Sequence, residues 1–265
     1  MLVVIRGAGD LATGIALRLW RAHIRVVMTD LPHPTAIRRT VSFSEAIPNG
    51  AATVEDVTAK RAETPARAME LLEKREIPVL IDPHGQCIPV LKPDGVVDAI
   101  LAKKNLGTRI TDARIVVGVG PGFTAGEDCH AVVETMRGHY LGRVIYKGSA
   151  QPNTGIPGLI GGFSGERVLR APTDGVFRPL RQIGDRVREG DVAAMVEGVP
   201  MACTLTGVLR GILSEGTPVY KGMKAGDIDP RCQIDHCYCA SDKALAVGGG
   251  VLEALLALRC GIQSR

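Results

Sequence analysis

The sequence predicts an α/β protein in which an N-terminal, mostly parallel sheet is followed by an all-β barrel module and a C-terminal helix. Three observations predict this fold class. Short apolar runs alternate with amphipathic segments over residues 1–125, an internal repeat occupies much of 166–230, and an alanine- and leucine-rich segment follows within 231–265. Alternating strands and helices are typical of βαβ units, and a repeat of short strands is typical of an all-β module.

Composition limits the classes of function. The chain has 265 residues, 45% of them hydrophobic, which is enough for a buried core. Its net charge is only +4 and its aromatic content only 3%, which argues against nucleic acid as a partner. No apolar run reaches the roughly 18 residues of a membrane span. Seven cysteines without a visible secretory signal indicate reduced thiols, so we expect a cytoplasmic location.

The first elements form the pattern of a Rossmann-like βαβ unit. Residues 2–6 (LVVIR) are an apolar, β-branched run that predicts a buried strand. The stretch GAGDLA follows directly, and its G-x-G-x-x-A spacing opens an amphipathic helix over 10–23. A second strand over 24–30 ends on an acidic residue, at the spacing from the glycines that a dinucleotide fold uses.

Each residue of the glycine motif has a physical task. Gly7 allows the tight turn, Gly9 lets the backbone approach a pyrophosphate, and Ala12 keeps the helix close to the sheet. The helix N-terminus at Asp10 offers backbone amides to an anion. Asp30, 23 positions after Gly7, would accept hydrogen bonds from ribose hydroxyls. These residues predict a nucleotide site; an unused Rossmann-like scaffold is the alternative.

The acidic residue also bears on which dinucleotide is bound. A carboxylate at Asp30 favours NAD over NADP, because it would repel a 2′-phosphate. Arg38 and Arg39 lie just downstream, and arginines in this region accommodate that phosphate in NADP-binding proteins. The sequence therefore leaves the choice open.

The α/β pattern continues beyond this unit. We predict a helix over 64–77, a strand over 78–82, a helix over 94–105 and a strand over 113–123. The last strand enters a glycine loop containing Gly118, Gly120 and Gly122. Because ligands bind beyond the carboxyl ends of parallel strands, this loop joins the predicted nucleotide site.

The segment 126–165 is a predicted glycine-rich hairpin and connecting loop. Cys129 and His130 stand next to each other within it, beside two acidic residues. They are candidate catalytic residues, as a thiolate near its base. The alternative is a buried cysteine and an unrelated histidine, because neighbouring strand residues point to opposite faces.

The segment 166–230 contains the internal repeat. Residues 171–191 align without gaps with 203–223 at an offset of 32, and each half predicts two strands around a turn. The pattern resembles a biotinyl/lipoyl carrier domain, but Pro200 stands where the carrier has its lysine. We therefore expect no covalent biotin or lipoate, and a β module kept for its shape.

The C-terminal segment 231–265 is rich in soft ligands. Cys232, His236, Cys237 and Cys239 are candidate ligands for zinc or selenium, and Cys237 is also a candidate catalytic thiol. Their spacing is not a standard zinc pattern, so ordinary free thiols are the alternative. Gly248–Gly250 predict either close helix packing or an anion-binding turn before a separate helix.

Several long stretches together resemble the YqeB family, the accessory proteins of selenium-dependent molybdenum hydroxylase systems. These stretches are RGAGDLATGIALRL, RRTVSFSEA, DAILAKKNLGT, GPGFTAGEDCHAVVETMRGHYLGRVI, PNTGIPG, the carrier-like segment running into GDIDPR, and SDKALAVGGGVLEALL. The resemblance implies a role in maturing a molybdenum hydroxylase, with the hydroxylase or its maturation factors as partners and a homo-oligomer left open. The bound group would be NAD or the nucleotide-bearing molybdenum cofactor. The alternatives are an NAD-dependent oxidoreductase and a non-enzymatic nucleotide sensor.

Overall fold

Two units divide the chain in the computed structural model, which describes residues 1–261. Unit 1 contains residues 1–34, 42–153 and the part from Ala240 onward, and unit 2 contains 35–41 and 154–239. The last four residues of the predicted C-terminal segment, 262–265, lie outside the described residues. The polypeptide thus leaves unit 1 after Pro34, contributes a short strap to unit 2, and returns at Ser42.

A nine-stranded sheet forms the centre of unit 1, in the order β10-β9-β7-β6-β1-β2-β5-β4-β3. The unit has the strands β1 (Leu2–Arg6), β2 (Arg25–Asp30), β3 (Ala51–Val54), β4 (Val57–Ala62), β5 (Ile77–Ile81), β6 (Gly95–Asp98), β7 (Ile115–Val119), β8 (Thr124–Ala125), β9 (Ala131–Val133), β10 (Val144–Ile145) and β11 (Gly148–Ser149). Its helices are α1 (Asp10–Arg21), α2 (Ala46–Asn49), α3 (Pro65–Glu73), α4 (Cys87–Leu91) and α5 (Asp242–Arg259). Strands β8 and β11 form a separate antiparallel pair.

The predicted fold class, a Rossmann-like mostly parallel sheet followed by a biotinyl/lipoyl-like barrel, was wrong. Unit 1 is an α/β unit with a large mixed sheet, because β3 and β10 run antiparallel to their neighbours at the two edges. The connections from β6 to β7 and from β7 to β9 contain no helix, so this half of the sheet is not built from βαβ units. Unit 2 contains two open sheets and no closed barrel.

The helix predicted over 94–105 was also wrong. Residues 95–98 form β6, which pairs in parallel with β1 on one side and β7 on the other. Val96 and Val97 are completely buried in this position. β-Branched residues between two strands favour an extended chain, and this tertiary pairing outweighs the helical spacing of the apolar residues that follow.

Unit 2 consists of two four-stranded antiparallel sheets, β12-β19-β17-β14 and β16-β15-β13-β18. Its strands are β12 (Val168–Arg170), β13 (Gly175–Pro179), β14 (Arg186–Val187), β15 (Val192–Val196), β16 (Val199–Ala202), β17 (Gly207–Ile212), β18 (Pro218–Val219) and β19 (Lys224–Asp229). The first repeat supplies β13 and β14, and the second supplies β17 and β18 at matching positions. Each half exchanges partners with the other, since β13 pairs with β18 and β14 with β17.

The hairpin between β15 and β16 differs from the predicted carrier tip. Glu197 and Gly198 form its two-residue turn, with φ of +47° and +78°. Two positive φ values are typical of a type I′ hairpin turn. Pro200 therefore lies inside β16, opposite Met195, and not at the tip where a carrier lysine would stand. The Glu197 carboxylate accepts a hydrogen bond from Val176 N at 2.9 Å, which explains an acidic residue at this position.

Helix α5 packs closely against α1, and glycines make this contact possible. A Cβ on Gly14 would lie 2.5 Å from the Ala244 Cβ, and one on Gly248 would lie 2.8 Å from the Gly14 carbonyl oxygen. All three glycines of 248–250 lie within α5. Close packing is therefore the role of Gly248 and Gly250, and the alternative of an anion-binding turn before a separate helix was wrong.

We expect Gly250→Ala to destabilise the protein by about 1–3 kcal/mol, the usual cost of overpacking a core. A Cβ at this position would collide with the carbonyl oxygen of Gly142. Gly249→Ala is the matched control, because its Cβ would meet no atom within 4 Å. That variant should gain up to about 1 kcal/mol from helix propensity. Urea unfolding of both variants measures the difference, and equal stabilities would contradict the packing assignment.

A chain of buried charges stabilises unit 2. The Asp227 carboxylate accepts hydrogen bonds from Arg167 Nη1 at 3.1 Å and Arg210 Nε at 2.8 Å. The Asp229 carboxylate accepts from Arg210 Nη1 at 3.2 Å and Arg231 Nη2 at 2.7 Å. Both aspartates are almost completely buried. The alternation of charges compensates for the loss of hydration at each group.

We expect this chain of charges to give the protein a stability component that is lost in acid. Burial alone would raise the pKa of Asp229, but hydrogen bonds from Arg231 and the charges of Arg210 and Arg231 lower it to about 2. Because its pKa is lower in the folded than in the unfolded state, the ionised Asp229 stabilises the fold at pH values above its unfolded pKa of about 4. This stabilisation is lost as the pH falls toward 2. Unfolding free energies measured across this range should fall more steeply in the wild type than in Asp229→Asn. Equal slopes would contradict the assignment.

Candidate functional site

The carboxyl ends of the parallel strands lie at one edge of the sheet in unit 1. Strands β1, β2 and β6 end on the charged residues Arg6, Asp30 and Asp98, and Asp82 directly follows β5. Strands β1 and β6 are neighbours, as are β1 and β2. The structure therefore brings the predicted motif and its acidic residue together at the edge where α/β sheets bind ligands.

The two glycines of the motif differ in what the fold demands of them. Gly7 has φ of +100°, and a Cβ on it would lie 2.7 Å from the carbonyl oxygen of Ala99. Gly9 has φ of −72° and ψ of −174°, which any L residue can adopt. A Cβ on Gly9 would meet no atom within 4 Å. The fold thus requires glycine at position 7 but not at position 9, as expected where a ligand approaches the second glycine.

Helix α1 begins directly after this turn. Gly9 is its N-cap residue and provides no side-chain cap, while Asp10 lies in the first turn. The helix dipole places partial positive charge at this end, which favours an anion. Ala12 is 1% exposed and packs inward, so it has the close-packing position that the motif predicts.

Asp30 is hydrogen-bonded to the same turn. Its Oδ2 accepts from Ala8 N at 3.0 Å and its Oδ1 accepts from Leu31 N at 2.7 Å. Burial raises the pKa of Asp30, and the two backbone hydrogen bonds partly oppose this shift. Each carboxylate oxygen can accept a second hydrogen bond. Asp30 therefore braces the turn and can still accept ribose hydroxyls.

A short segment after the strap packs on the glycine turn. Ser44 N donates to Ala8 O at 2.8 Å, and Phe43 N donates to Thr13 Oγ1 at 2.9 Å. Thr13 Oγ1 in turn donates to Ala8 O at 3.2 Å. The Ser44 hydroxyl is buried and has no hydrogen-bond partner among the described residues. Ala8 is therefore held through both its backbone groups, by Ser44 at the carbonyl oxygen and by Asp30 at the amide.

Sequence reasoning missed a buried ion pair at the same edge. Arg6 and Asp98 are each 2% exposed, and Arg6 Nη1 lies 3.3 Å from Asp98 Oδ2. Thr108 Oγ1 donates to Asp98 Oδ2 at 2.6 Å, and Arg6 Nη1 donates to Thr108 Oγ1. Arg6 Nη2 reaches the carbonyl oxygens of Pro83 and Leu106. Arg6 thus ties together the loops that follow β5 and β6. A charged residue ending an apolar strand was the available signal.

The predicted glycine loop after β7 is packed by the protein itself. Cβ atoms on Gly118, Gly120 and Gly122 would lie 2.5, 2.8 and 2.7 Å from other protein atoms. Those atoms belong to Phe123, Thr135 and Lys104. Packing within the protein therefore explains why glycine stands at these three positions. Ligand binding at them stays a prediction.

Cys129 and His130 form hydrogen bonds with different partners. Cys129 Sγ donates to Thr124 O at 3.9 Å, and burial raises the pKa of this thiol to about 11. His130 Nδ1 accepts from Val116 N at 3.0 Å, and burial lowers the pKa of the imidazole. A thiol with a raised pKa is a poor nucleophile near neutral pH. Both side chains are hydrogen-bonded to the backbone, and the catalytic assignment stays a prediction.

The four candidate ligands of the C-terminal segment, Cys232, His236, Cys237 and Cys239, lie in unit 2. Cys237 is completely buried, and burial raises its pKa, whereas Cys239 Sγ donates to Asp235 O at 3.2 Å. Within residues 1–261, no group of three or more His, Cys, Asp or Glu side chains is arranged to hold a metal ion. Metal or selenium handling here stays a prediction.

A surface groove of about 470 Å³ lies in unit 2. It is lined by Val176, Phe177, Arg178, Met195, Glu197, Gly198, Glu215 and Gly216. The groove is mostly apolar, and its Glu197 carboxylate already accepts the Val176 amide. The groove does not combine a helix N-terminus, an open glycine and an acceptor carboxylate. The glycine turn of unit 1 is therefore the better candidate site.

Sequence similarity to known proteins bears on the family of the chain. No protein-family profile matches the chain. The chain is 54% identical over 257 residues to the protein of Escherichia coli strain K12 described as uncharacterized protein YqeB, over 97% of this chain and 48% of YqeB. The chain is a YqeB homologue. It spans about half the length of this relative. The identity supports the YqeB family that the sequence motifs indicated, while the link to molybdenum hydroxylases stays a prediction.

Two solved structures are weakly similar to the chain. An aspartoacylase family protein from Mesorhizobium loti is 13% identical with a TM-score of 0.26, covering 86% of this chain and 83% of that one. A succinylglutamate desuccinylase/aspartoacylase from Rhodobacter sphaeroides is 14% identical with a TM-score of 0.28, covering 86% and 85%. These scores are too low to indicate a common fold. None of the helices described over residues 1–261 is long and apolar enough to cross a membrane.

Proposed function

We propose that the chain is a nucleotide-binding maturation factor for a molybdenum hydroxylase, with the nucleotide at the carboxyl edge of unit 1. One observation carries the nucleotide part of this proposal. Gly9 is open where the fold does not require glycine, and Asp30 is bonded to the same turn. The molybdenum and selenium part rests on the sequence resemblance to the YqeB family.

The residues of the turn have distinct roles in this proposal. The backbone at Gly9 approaches a phosphate, and the dipole of α1 favours its negative charge. The Asp30 carboxylate accepts the ribose hydroxyls through its remaining lone pairs. Arg6 keeps the neighbouring loops in place through Asp98 and Thr108. The chain therefore provides binding and orientation, and no reacting group is assigned to it.

The site favours a ribose without a 2′-phosphate. Asp30 would repel such a phosphate. The two arginines that leave this choice open in the sequence are engaged within unit 2. Arg38 Nη2 donates to His236 O at 2.9 Å, and Arg39 Nε donates to Ile212 O at 2.9 Å. NAD, or a cofactor carrying an unmodified nucleotide, is therefore preferred over NADP.

Asp30→Asn tests the nucleotide site, with Asp82→Asn as its matched control. Asp82 is 8% exposed, and its two oxygens accept from Gln86 N at 2.9 Å and Cys87 N at 2.7 Å. Each substitution leaves one backbone amide facing an NH₂ group, so both should cost similar stability, about 1–3 kcal/mol. Only Asp30→Asn should weaken nucleotide binding, by about tenfold or more, because it loses acceptors for the ribose. Calorimetric titration at a temperature where both variants are folded measures this; equal affinities would refute the role of Asp30.

A deletion strain tests the maturation part of the proposal. Without this protein, hydroxylase protein should accumulate normally but lack activity and a complete cofactor. Expression of the wild-type chain from a plasmid should restore activity, and expression of Asp30→Asn should not. A deletion strain whose hydroxylase is fully active and fully loaded would reject this function while leaving nucleotide binding to be judged by titration.

A further inference from the structure

A loop of residues 99–105, here called the lysine loop, is fixed beside the glycine turn. At its start, Ala99 O and Ile100 N lie 2.7 and 3.1 Å from the position that a Cβ on Gly7 would occupy. Near its end, the Lys104 backbone lies 2.7 Å from the corresponding position on Gly122. Only glycine fits at either contact, so the loop is held at both ends by close backbone approach.

The middle of the lysine loop has an unusual backbone. Leu101 and Lys103 have φ of +61° and +63°, a left-handed conformation that residues other than glycine seldom adopt. The side chains of Lys103 and Lys104 are exposed. No ion pair or hydrogen bond involves either amino group within the described range 1–261. The loop therefore presents two uncompensated positive charges from a constrained backbone.

The lysine loop lies on the far side of the glycine turn from Asp30. The sheet order places β6, β1 and β2 side by side, and the loop follows β6 while Asp30 ends β2. With adjacent strands about 4.8 Å apart, the ends of β6 and β2 are separated by about 10 Å. This is the scale of a ribose joined to a short phosphate chain. The Lys104 backbone packs at Gly122 beyond β7, one strand further from β2, and its side chain is exposed. A nucleotide with its ribose at Asp30 would extend across the turn toward the lysines.

The negative charges at the turn also favour a ligand whose phosphates extend toward the lysines. Asp10 lies in the first turn of α1 and Asp30 is bonded to Ala8, so two carboxylates flank the place of the first phosphate. These carboxylates disfavour a polyanion, because like charges at short range repel. Two lysines beyond the turn offset this repulsion for phosphates further along the chain.

We infer that the ligand of the glycine turn is a nucleotide with an anionic group at the end remote from its ribose, which the lysine loop binds through Lys103 and Lys104. This inference rests on the proposed nucleotide site and adds the class of ligand to it. Nucleoside di- and triphosphates, and dinucleotides with a further phosphate or carboxylate, belong to this class. A nucleoside monophosphate lacks the remote anion.

The test uses the mono-, di- and triphosphates of adenosine and cytidine as probes. Their affinities are measured by calorimetric titration for the full chain, for Lys103→Gln/Lys104→Gln and for the control Lys74→Gln/Lys92→Gln. Lys74 and Lys92 are exposed and lie just before β5 and β6, at the opposite edge of the sheet. In the wild type and the control, triphosphate should bind at least about tenfold more tightly than monophosphate, and added salt should reduce this gain.

Lys103→Gln/Lys104→Gln should lose that gain and retain the wild-type affinity for monophosphate. Equal binding of mono- and triphosphate by the wild type, or a gain that survives in the lysine-loop variant, would overturn the inference while leaving the nucleotide site intact. Failure of the wild type to bind any of the six probes would also overturn the inference, and titration with NAD would then decide separately whether the proposed nucleotide site stands.

Discussion

Gly9→Ala should weaken nucleotide binding about 100-fold without unfolding the protein. The substituted residue keeps φ of −72° and ψ of −174°, which alanine adopts freely, and its Cβ meets no protein atom within 4 Å. Reduced flexibility of the unfolded chain and the weaker N-cap have opposite effects, so stability should stay within about 1 kcal/mol of the wild type. The new methyl group occupies the space through which a phosphate approaches the backbone. We expect an affinity loss of about 100-fold, or roughly 2.8 kcal/mol.

Two further variants separate this effect from any change in the fold. Gly9→Ser supplies a favourable N-cap side chain and should raise the melting temperature while binding nucleotide no better than Gly9→Ala. Gly249→Ala makes the same glycine-to-alanine change within α5, where a Cβ also meets open space. It should bind nucleotide normally. Wild-type affinity in Gly9→Ala would show that the open space above Gly9 is not used by a ligand.

Asp227→Ala should be the most destabilising single substitution considered for unit 2. Asp227 is 2% exposed, and its carboxylate bridges Arg167 and Arg210, which are 5% and 8% exposed. Removing it takes away the carboxylate that lies between two buried guanidinium groups, although Arg210 keeps its hydrogen bond to Asp229. Breaking a buried ion pair in this way costs about 3–5 kcal/mol, because buried charge loses a carboxylate that balanced it. Guanidinium chloride unfolding followed by circular dichroism of the full chain measures the loss.

Asp56→Ala is the control for an ion pair at the surface. Asp56 pairs with Arg21, and its side chain is 72% exposed. Exposed ion pairs contribute little to stability, so this variant should be nearly as stable as the wild type. If Asp227→Ala proved as mild as Asp56→Ala, the buried chain of charges would not be a main source of stability in unit 2.

The site was predicted from the sequence where its signals are local. The apolar run of β1, the glycine spacing and the amphipathic pattern of α1 lie within the first 21 residues, and Asp30 follows at a fixed distance. Turn chemistry and helical periodicity determine such a stretch without help from distant residues. The structure accordingly places Gly7, Gly9 and Asp30 together.

The parts that sequence reasoning missed depend on distant partners. Arg6 is buried because Asp98, 92 residues away, compensates its charge. The lysine loop was hidden inside a predicted helix, since only pairing with β1 and β7 shows that residues 95–98 are a strand. Gly250 has a packing role that becomes visible only once the Gly142 carbonyl oxygen is in place.

The prediction of the fold class was wrong for the same reason. The repeat correctly predicted matching strands, but local spacing does not say whether eight strands close into a barrel or form two sheets. At the N-terminal sheet, the parallel core follows from the apolar runs, whereas the antiparallel edge strands β3 and β10 are short and carry little periodic signal. Their pairing is decided by tertiary contacts.

The most direct test of the central claim is the melting temperature of the reduced wild-type chain against NAD, NADH, NADP, NADPH, ATP and CTP. A ligand at 100 times its dissociation constant stabilises the folded state by about 2.7 kcal/mol, which is readily seen as a thermal shift. We predict a shift with at least one of these nucleotides, and no such shift in Gly9→Ala. Unchanged melting temperatures with every nucleotide at millimolar concentration would contradict a nucleotide site at the glycine turn.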